Sequence, residues 1–518
     1  MKPFILFFIC LICFGCAQKK EAKANTKIES ETHPLAVYYN NALKPFYHGV
    51  ASGDPLTDKV IIWTRLTPTE NFSPDVLWEV AKDSLFQEII AKGNHQAISE
   101  NDYTVKIDVE GLKAGTTYYY RFKSGDTHSI IGKTRTLPEG AVSEVKFAIV
   151  SCSNFEFGYF NAYQKIGERT DLNAVLHLGD YIYEYPANSY EDKRSDREHY
   201  PPYEIISLED YRNRYSQYRL DEDLRFVHQK HPFITIWDDH EIANNSYKTG
   251  AQNHQEEEGS YQNRKQAARK AYYEWLPVRE TESLYRSFDF GNLSKLIMLD
   301  ERLEGRTGIA DSLTDPILAN KEHTILGKKQ RLWLEGELET TATWKLIGNQ
   351  VIFSYLNWGR ENFNINLDSW DGYPLEREQL KNFIQDKQLK NIVFVTGDTH
   401  SSWAFEVTDD PFKDYNQKNG EGAFAVEFGT TSINSGNSGS RFSKEEVIAH
   451  EEKITNSPLN PHLKYANLRD HGYVLITLQA EKAIAEWFYV GSNLTPETQE
   501  KLGQRILVEK NTTKLILE

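Results

Sequence analysis

The chain has 518 residues, 39% of them hydrophobic and 13% aromatic, with a formal net charge of −16. That length exceeds one small core, so two unequal domains are expected, and that composition excludes global disorder. The acidic balance excludes the basic footprint that duplex nucleic acid needs, yet not a small phosphate substrate, because metal ions can supply local positive charge.

Met1-Lys2-Pro3 precedes an apolar run from Phe4 to Phe14, of signal-peptide length and too short to span a bilayer. The run ends at Cys13-Phe14-Gly15-Cys16 and turns polar at Gln18-Lys19-Lys20. This resembles a bacterial lipoprotein leader, which implies that residues 1–15 are removed and Cys16 is lipidated. The protein would then be exported and anchored to the cell envelope; a plain secretory signal is the alternative. Cys10, Cys13 and Cys16 all lie in the leader, so the body keeps Cys152 alone and can form no internal disulfide. Residues 16–43 are expected to be a flexible tether, since Glu21 to Pro34 is charged and lacks apolar periodicity.

Residues 44–140 read as a small all-β domain. Val60 to Arg65, Val76 to Val80 and Tyr103 to Val109 have strand patterning with turn residues between them. Leu112 to Arg121 resembles the tyrosine-corner region of fibronectin type III sandwiches. Pro138-Glu139-Gly140 marks the boundary. From 144 to 500, strands alternate with helical patterns, so a mixed α/β domain is expected. Ser207-Leu208-Glu209-Asp210 reads as a capping box before a helix. Ser287 to Phe290 and Leu293 to Leu299 flank a tight turn at Gly291-Asn292. Tyr473 to Leu478 and Ala485 to Val490 are expected to close the fold, leaving 501–518 as a tail.

Five short apolar runs end in chemistry-bearing clusters: Ser151-Cys152, Gly179 to Tyr183, Asp238 to Glu241, Gly348-Asn349 and Gly397 to His400. Such runs read as buried strands, and strand tips of one sheet can converge on a single site. Asp180 can bridge two cations, and the phenolate of Tyr183 suits ferric iron. One carboxylate of Asp238 to Glu241 reads as a ligand, with His240 as proton donor or transition-state stabiliser. Asp398 suits a hard cation and His400 a transition metal. Taken alone, Cys152 reads as a buried structural thiol. Asp300 and Arg302 read either as support for the site, as phosphate ligands, or as a surface ion pair.

Together these segments resemble the alkaline phosphatase D family. The likeness rests on Ser151 to Asn154, Gly179 to Tyr183, Trp237 to Glu241, Gly397 to Ser401 and Gly49 to Pro55, with Leu326-Gly327, Gln330 and Trp333-Leu334. It spans Tyr47 to Val490. It implies a calcineurin-like metallophosphoesterase sandwich preceded by a fibronectin type III-like domain. It also implies Fe3+ held by Cys152, Asp180, Tyr183 and His400, and Ca2+ held by Asp180, Asp239 and Asp398. Asn349 stands where the wider superfamily places a metal-binding His, and His240, with Asp239, falls in the catalytic position. The expected activity is hydrolysis of small phosphate esters by metal-activated water, with no protein nucleophile. Phospholipase D-type diester hydrolysis and an inactive surface binding lipoprotein are the alternatives. A monomer is expected, and the polar stretch Pro186 to Tyr203 is a candidate lid.

Overall fold

The computed structural model describes residues 33–68, 73–361, 363–413, 415–497 and 499–518. The expected leader 1–15, Cys16 and the first part of the tether lie outside the described residues. The rest of the tether is docked: Pro34–Tyr38 and Asn41–Leu43 are 3-10 turns, and Leu35 is buried beside Tyr47 and Leu220. Tyr39 stacks on Tyr47 with ring centroids 4.2 Å apart, adding to the burial of Leu35.

Three parallel strands, Glu144–Val150, Ala174–His177 and Pro232–Thr235, form the centre of a ten-stranded sheet. Strand Val50–Gly53 pairs in parallel with Pro232–Thr235 and carries Val60–Arg65 and Thr104–Val109 on its far side. The amino-terminal strands therefore do not form a detached sandwich. They extend the central sheet, and a five-stranded sheet built on Asp75–Ala81 and Thr117–Ser124 packs over them. Val60, Ile62 and Val105 meet Val80, Tyr120 and Phe122 in that smaller core. At its corner the Tyr118 hydroxyl accepts a hydrogen bond from Lys113 N at 2.9 Å.

On the other edge, Gly472–Gln479 and Lys482–Val490 pair as expected. They do not close the sheet. The segment expected to be a tail supplies Glu500–Glu509 and Leu515–Leu517 as two further antiparallel strands. Ile506 and Val508 are buried, and pairing here covers backbone groups that an open edge would leave free.

A seven-stranded sheet faces the first. Its parallel strands are Ser294–Met298, Trp344–Asn349, Ile392–Thr396 and Ala423–Gly429. Period-two alternation splits each run between two cores. Val393 and Val395 join the core between the sheets, while Phe394 joins the core under helices Gly327–Leu338 and Pro374–Asp386. Phe147 and Phe290 meet edge to face at 4.8 Å across the two sheets. The capping box is present: Ser207 and Asp210 bond each other's backbone N–H at the start of Leu208–Arg219. The five strand tips thus belong to two facing sheets rather than one. Short fully buried runs carry no mark of which sheet they join.

Candidate active site

The chain turns sharply as it leaves three of these strands. Cys152, Asp180, Asp398 and His400 have φ of 61°, 57°, 61° and 55°, in the left-handed region that costs non-glycine residues energy. Backbone bonds join the first two tips, from Cys152 N to Gly179 O at 3.1 Å and from Ser153 N to Asp180 O at 2.9 Å. At Gly179 a Cβ would fall 2.3 Å from Asp238 N, so only glycine lets the second and third loops close together. Glu241 then ties them. Its carboxylate accepts from Asp180 N at 3.0 Å, Tyr181 N at 2.7 Å and Asp238 N at 2.8 Å.

Three groups of donors result. Cys152, Asp180 and His400 form one, Asp180, Asp239 and His240 a second, and Asp238, Asp239 and Asp398 a third, each with ligand atoms within 4.8 Å of one another. Asp180 belongs to the first and second groups, and Asp239 to the second and third. The Tyr183 hydroxyl lies against the first group, 3.1 Å from Asp180 Oδ2 and 3.2 Å from His400 Nε2. Ser435 Oγ bonds the same hydroxyl at 2.8 Å, and Gly436 O lies 2.7 Å from His400 Nδ1. From the candidate lid, Tyr190 brings its hydroxyl 3.4 Å from His400 Nδ1.

Electrostatics show what this arrangement demands. Burial, together with neighbouring carboxylates, pushes Asp180 well above the usual carboxylate range. Asp238 rises to about 8, chiefly through burial and despite Arg302. Burial and the Asp180 charge raise Cys152, and the same two causes raise Tyr183. Buried anionic donors this close are stable in their ligating form only beside a cation. Asp238 Oδ2 and Asp239 Oδ1 are buried without a hydrogen-bond partner, as acceptors awaiting a cation would be. The donor set fits metal ions.

His240 is oriented by Glu184, whose Oε2 lies 2.7 Å from Nδ1. Burial alone would lower this imidazole, but the Asp239, Glu184 and Asp180 carboxylates outweigh it and raise His240 well above its ordinary value. Its ring lies 4.3 Å from that of Tyr183.

The Asn349 side chain is buried and hydrogen-bonded. Its amide nitrogen donates to Val351 O and, at 3.4 Å, to Thr396 Oγ1, while its oxygen accepts from Trp370 Nε1 at 3.2 Å. Asp300 caps a turn, accepting from Arg302 N at 3.0 Å and Leu303 N at 2.8 Å. Arg302 is no surface ion. It is fully buried and bonds Asp238, Asp368 at 2.9 Å and Asp398 at 3.3 Å, with Asp239 at 3.8 Å. Sequence reasoning missed Glu184, Asp368 and Ser435. No metal-ligand spacing marks them, and only folding brings them to the site.

A family model described as "PhoD-like phosphatase" matches residues 147–487, and one described as "PhoD-like phosphatase, N-terminal domain" matches 33–138. The chain belongs to the PhoD-like phosphatase family. It is a phosphoric ester hydrolase by that membership. It is 38% identical over 470 residues to alkaline phosphatase D of Bacillus subtilis (strain 168), covering 86% of this chain and 77% of that one. A solved structure titled "Structure of PhoD" superposes with a TM-score of 0.82 at 36% identity, covering 92% of this chain and 93% of that one. The mixed α/β architecture is that of the PhoD structure.

Proposed function

We propose that the protein is an exported, metal-dependent phosphoesterase with alkaline phosphatase or phosphodiesterase activity. The observation that carries this is Asp180, whose carboxylate is common to the sulfur-imidazole group and to the group with Asp239 and His240. Cys152, Asp180, Tyr183 and His400 would hold Fe3+, and Asp180, Asp239 and Asp398 would hold Ca2+. Sulfur, phenolate and imidazole suit the transition metal, and carboxylates suit the hard cation. When bound, the ions would polarise the phosphoryl oxygens and activate water. The chain's own part is to fix these donors through strained turns and the Glu241 clamp. His240, aligned by Glu184, would give a proton to the leaving oxygen. In domain terms the proposal is a fibronectin-like unit over residues 44–140 and a calcineurin-like phosphoesterase unit beyond 144.

Aerobically purified protein should contain iron and show a visible tyrosinate charge-transfer band that disappears in Tyr183→Phe. Absence of iron, or a band unchanged in that variant, would remove the iron assignment. Hydrolysis of p-nitrophenyl phosphate and bis-p-nitrophenyl phosphate tests the activity and ranks monoester against diester.

Among the described residues no helix is long and apolar enough to cross a membrane. Envelope attachment is proposed through lipid on Cys16. Labelled palmitate should be incorporated into the intact protein and not into Cys16→Ala; equal labelling of the two would refute the anchor.

A further inference from the structure

The segment beyond Ser435 leads outward from the site. Gly436 O accepts from the Tyr190 hydroxyl at 3.4 Å, and Arg441 follows at the end of the 3-10 turn Ser438–Ser440. The Arg441 charge acts on half-buried Tyr190, whose hydroxyl lies 3.4 Å from His400 Nδ1. Arg360 reaches the same turn, donating from Nη2 to Ser438 Oγ at 3.2 Å, with its guanidinium 5.9 Å over the Trp358 ring. Arg360 and Lys453 line a surface cavity of about 370 Å³, and Lys453 Nζ donates to Gly359 O at 3.3 Å.

These three cations are unusual in a chain of net charge −16. Among the described residues none of them has a carboxylate within ion-pair distance, although most of the chain's other arginines do. Glu361, which lines the same cavity, does not pair with them. Burial and the neighbouring Arg441 charge lower Arg360 from its ordinary value, as expected where like charges are held together. Unpaired arginines grouped beside a phosphate-processing site are poised for a second anion, since guanidinium donors match phosphate oxygens in fork geometry.

We propose that Arg441, Arg360 and Lys453 form a subsite for a second, non-reacting anionic group, so that the enzyme prefers phosphate esters bearing another phosphate on the same molecule. This rests on the phosphoesterase reading above. The reacting phosphate would sit at the donor groups, and the second would lie along the path from Tyr190 to Arg360.

The p-nitrophenyl ester of thymidine 5′-phosphate, with and without a 3′-phosphate, is a suitable pair of probes. The 3′-phosphorylated ester should have a kcat/KM roughly tenfold higher at low salt, the difference residing in KM and shrinking as ionic strength rises. In Arg360→Gln/Arg441→Gln the ratio of the two substrates should collapse toward one, while exposed Arg441→Lys, which keeps the charge, retains most of it. A wild-type ratio near one, or a ratio unchanged in the double variant, overturns the subsite. Should neither ester nor p-nitrophenyl phosphate be hydrolysed, it is the phosphoesterase reading that fails. Titration calorimetry with the same pair then still reads the subsite, and binding indifferent to the 3′-phosphate overturns it.

Discussion

Asp180→Ala should lower kcat/KM for p-nitrophenyl phosphate by about 10³-fold or more, and purified protein should lose most of its bound metal. The expectation follows from the position of one side chain. Asp180 shares donor groups with Cys152 and His400 on one side and with Asp239 and His240 on the other. Removing it takes a ligand from both proposed ions at once. Each several-kcal/mol loss of charge stabilisation in the transition state amounts to orders of magnitude in rate. Folding stability should not follow activity. In chelator, Asp180 is a buried carboxyl crowded by Asp238, Asp239 and Glu241, held in a left-handed turn. Its removal relieves that crowding, so the metal-free variant should unfold at a urea midpoint equal to or above that of wild type. Activity near the wild-type level would show that the donors do not form one site. A large loss of stability in chelator would show that Asp180 is chiefly structural.

Arg302→Met should have the opposite signature. This guanidinium is fully buried and is surrounded by Asp238, Asp239, Asp368 and Asp398. Taking one partner from a buried charge network leaves the others uncompensated, at a cost of about 3–5 kcal/mol. Urea unfolding in chelator should report that loss. Added divalent cation should recover part of it, because it neutralises Asp239 and Asp398. A loss below about 1 kcal/mol, the range of exposed pairs, would mean that Arg302 does not organise the acidic cluster. Activity should fall as well, since Asp238 and Asp398 would no longer be held in place.

The local elements were legible in the chain. Val60 to Arg65 forms a strand with the expected bounds, and Ser207 caps its helix as its neighbours imply. Period-two runs and caps are set by residues close in sequence, so one chain suffices to read them. Partners were not legible. The amino-terminal strands joined the central sheet, and residues 501–518 became two strands instead of a tail. Pairing depends on which edge lies open, and no local pattern records that.

The same division runs through the site. Cys152, Asp180, Tyr183, Asp239, His240, Asp398 and His400 were singled out from residue type and position after apolar runs, and the fold brings them within reach of one another. Asn349 was singled out in the same way and is absorbed into a network with Trp370 and Thr396. Asparagine after a strand looks alike whether its amide faces a cation or a backbone carbonyl. Cys152 shows the opposite case. Its residue type favours a buried structural thiol, the family resemblance makes it an expected ligand, and the fold places its sulfur within 4.8 Å of ligand atoms of Asp180 and His400.

By itself the sequence determined many of the local elements and the donor types, because helix and strand periodicity and metal preference are properties of residues and short segments. The tertiary structure decided that the five tips come from two sheets and that Glu241 clamps the loops. It also decided that Arg302 is buried among the carboxylates instead of pairing at the surface. Those outcomes depend on contacts between residues far apart in the chain, formed when the two sheets face each other and strand tips 248 residues apart become neighbours, as do Cys152 and His400.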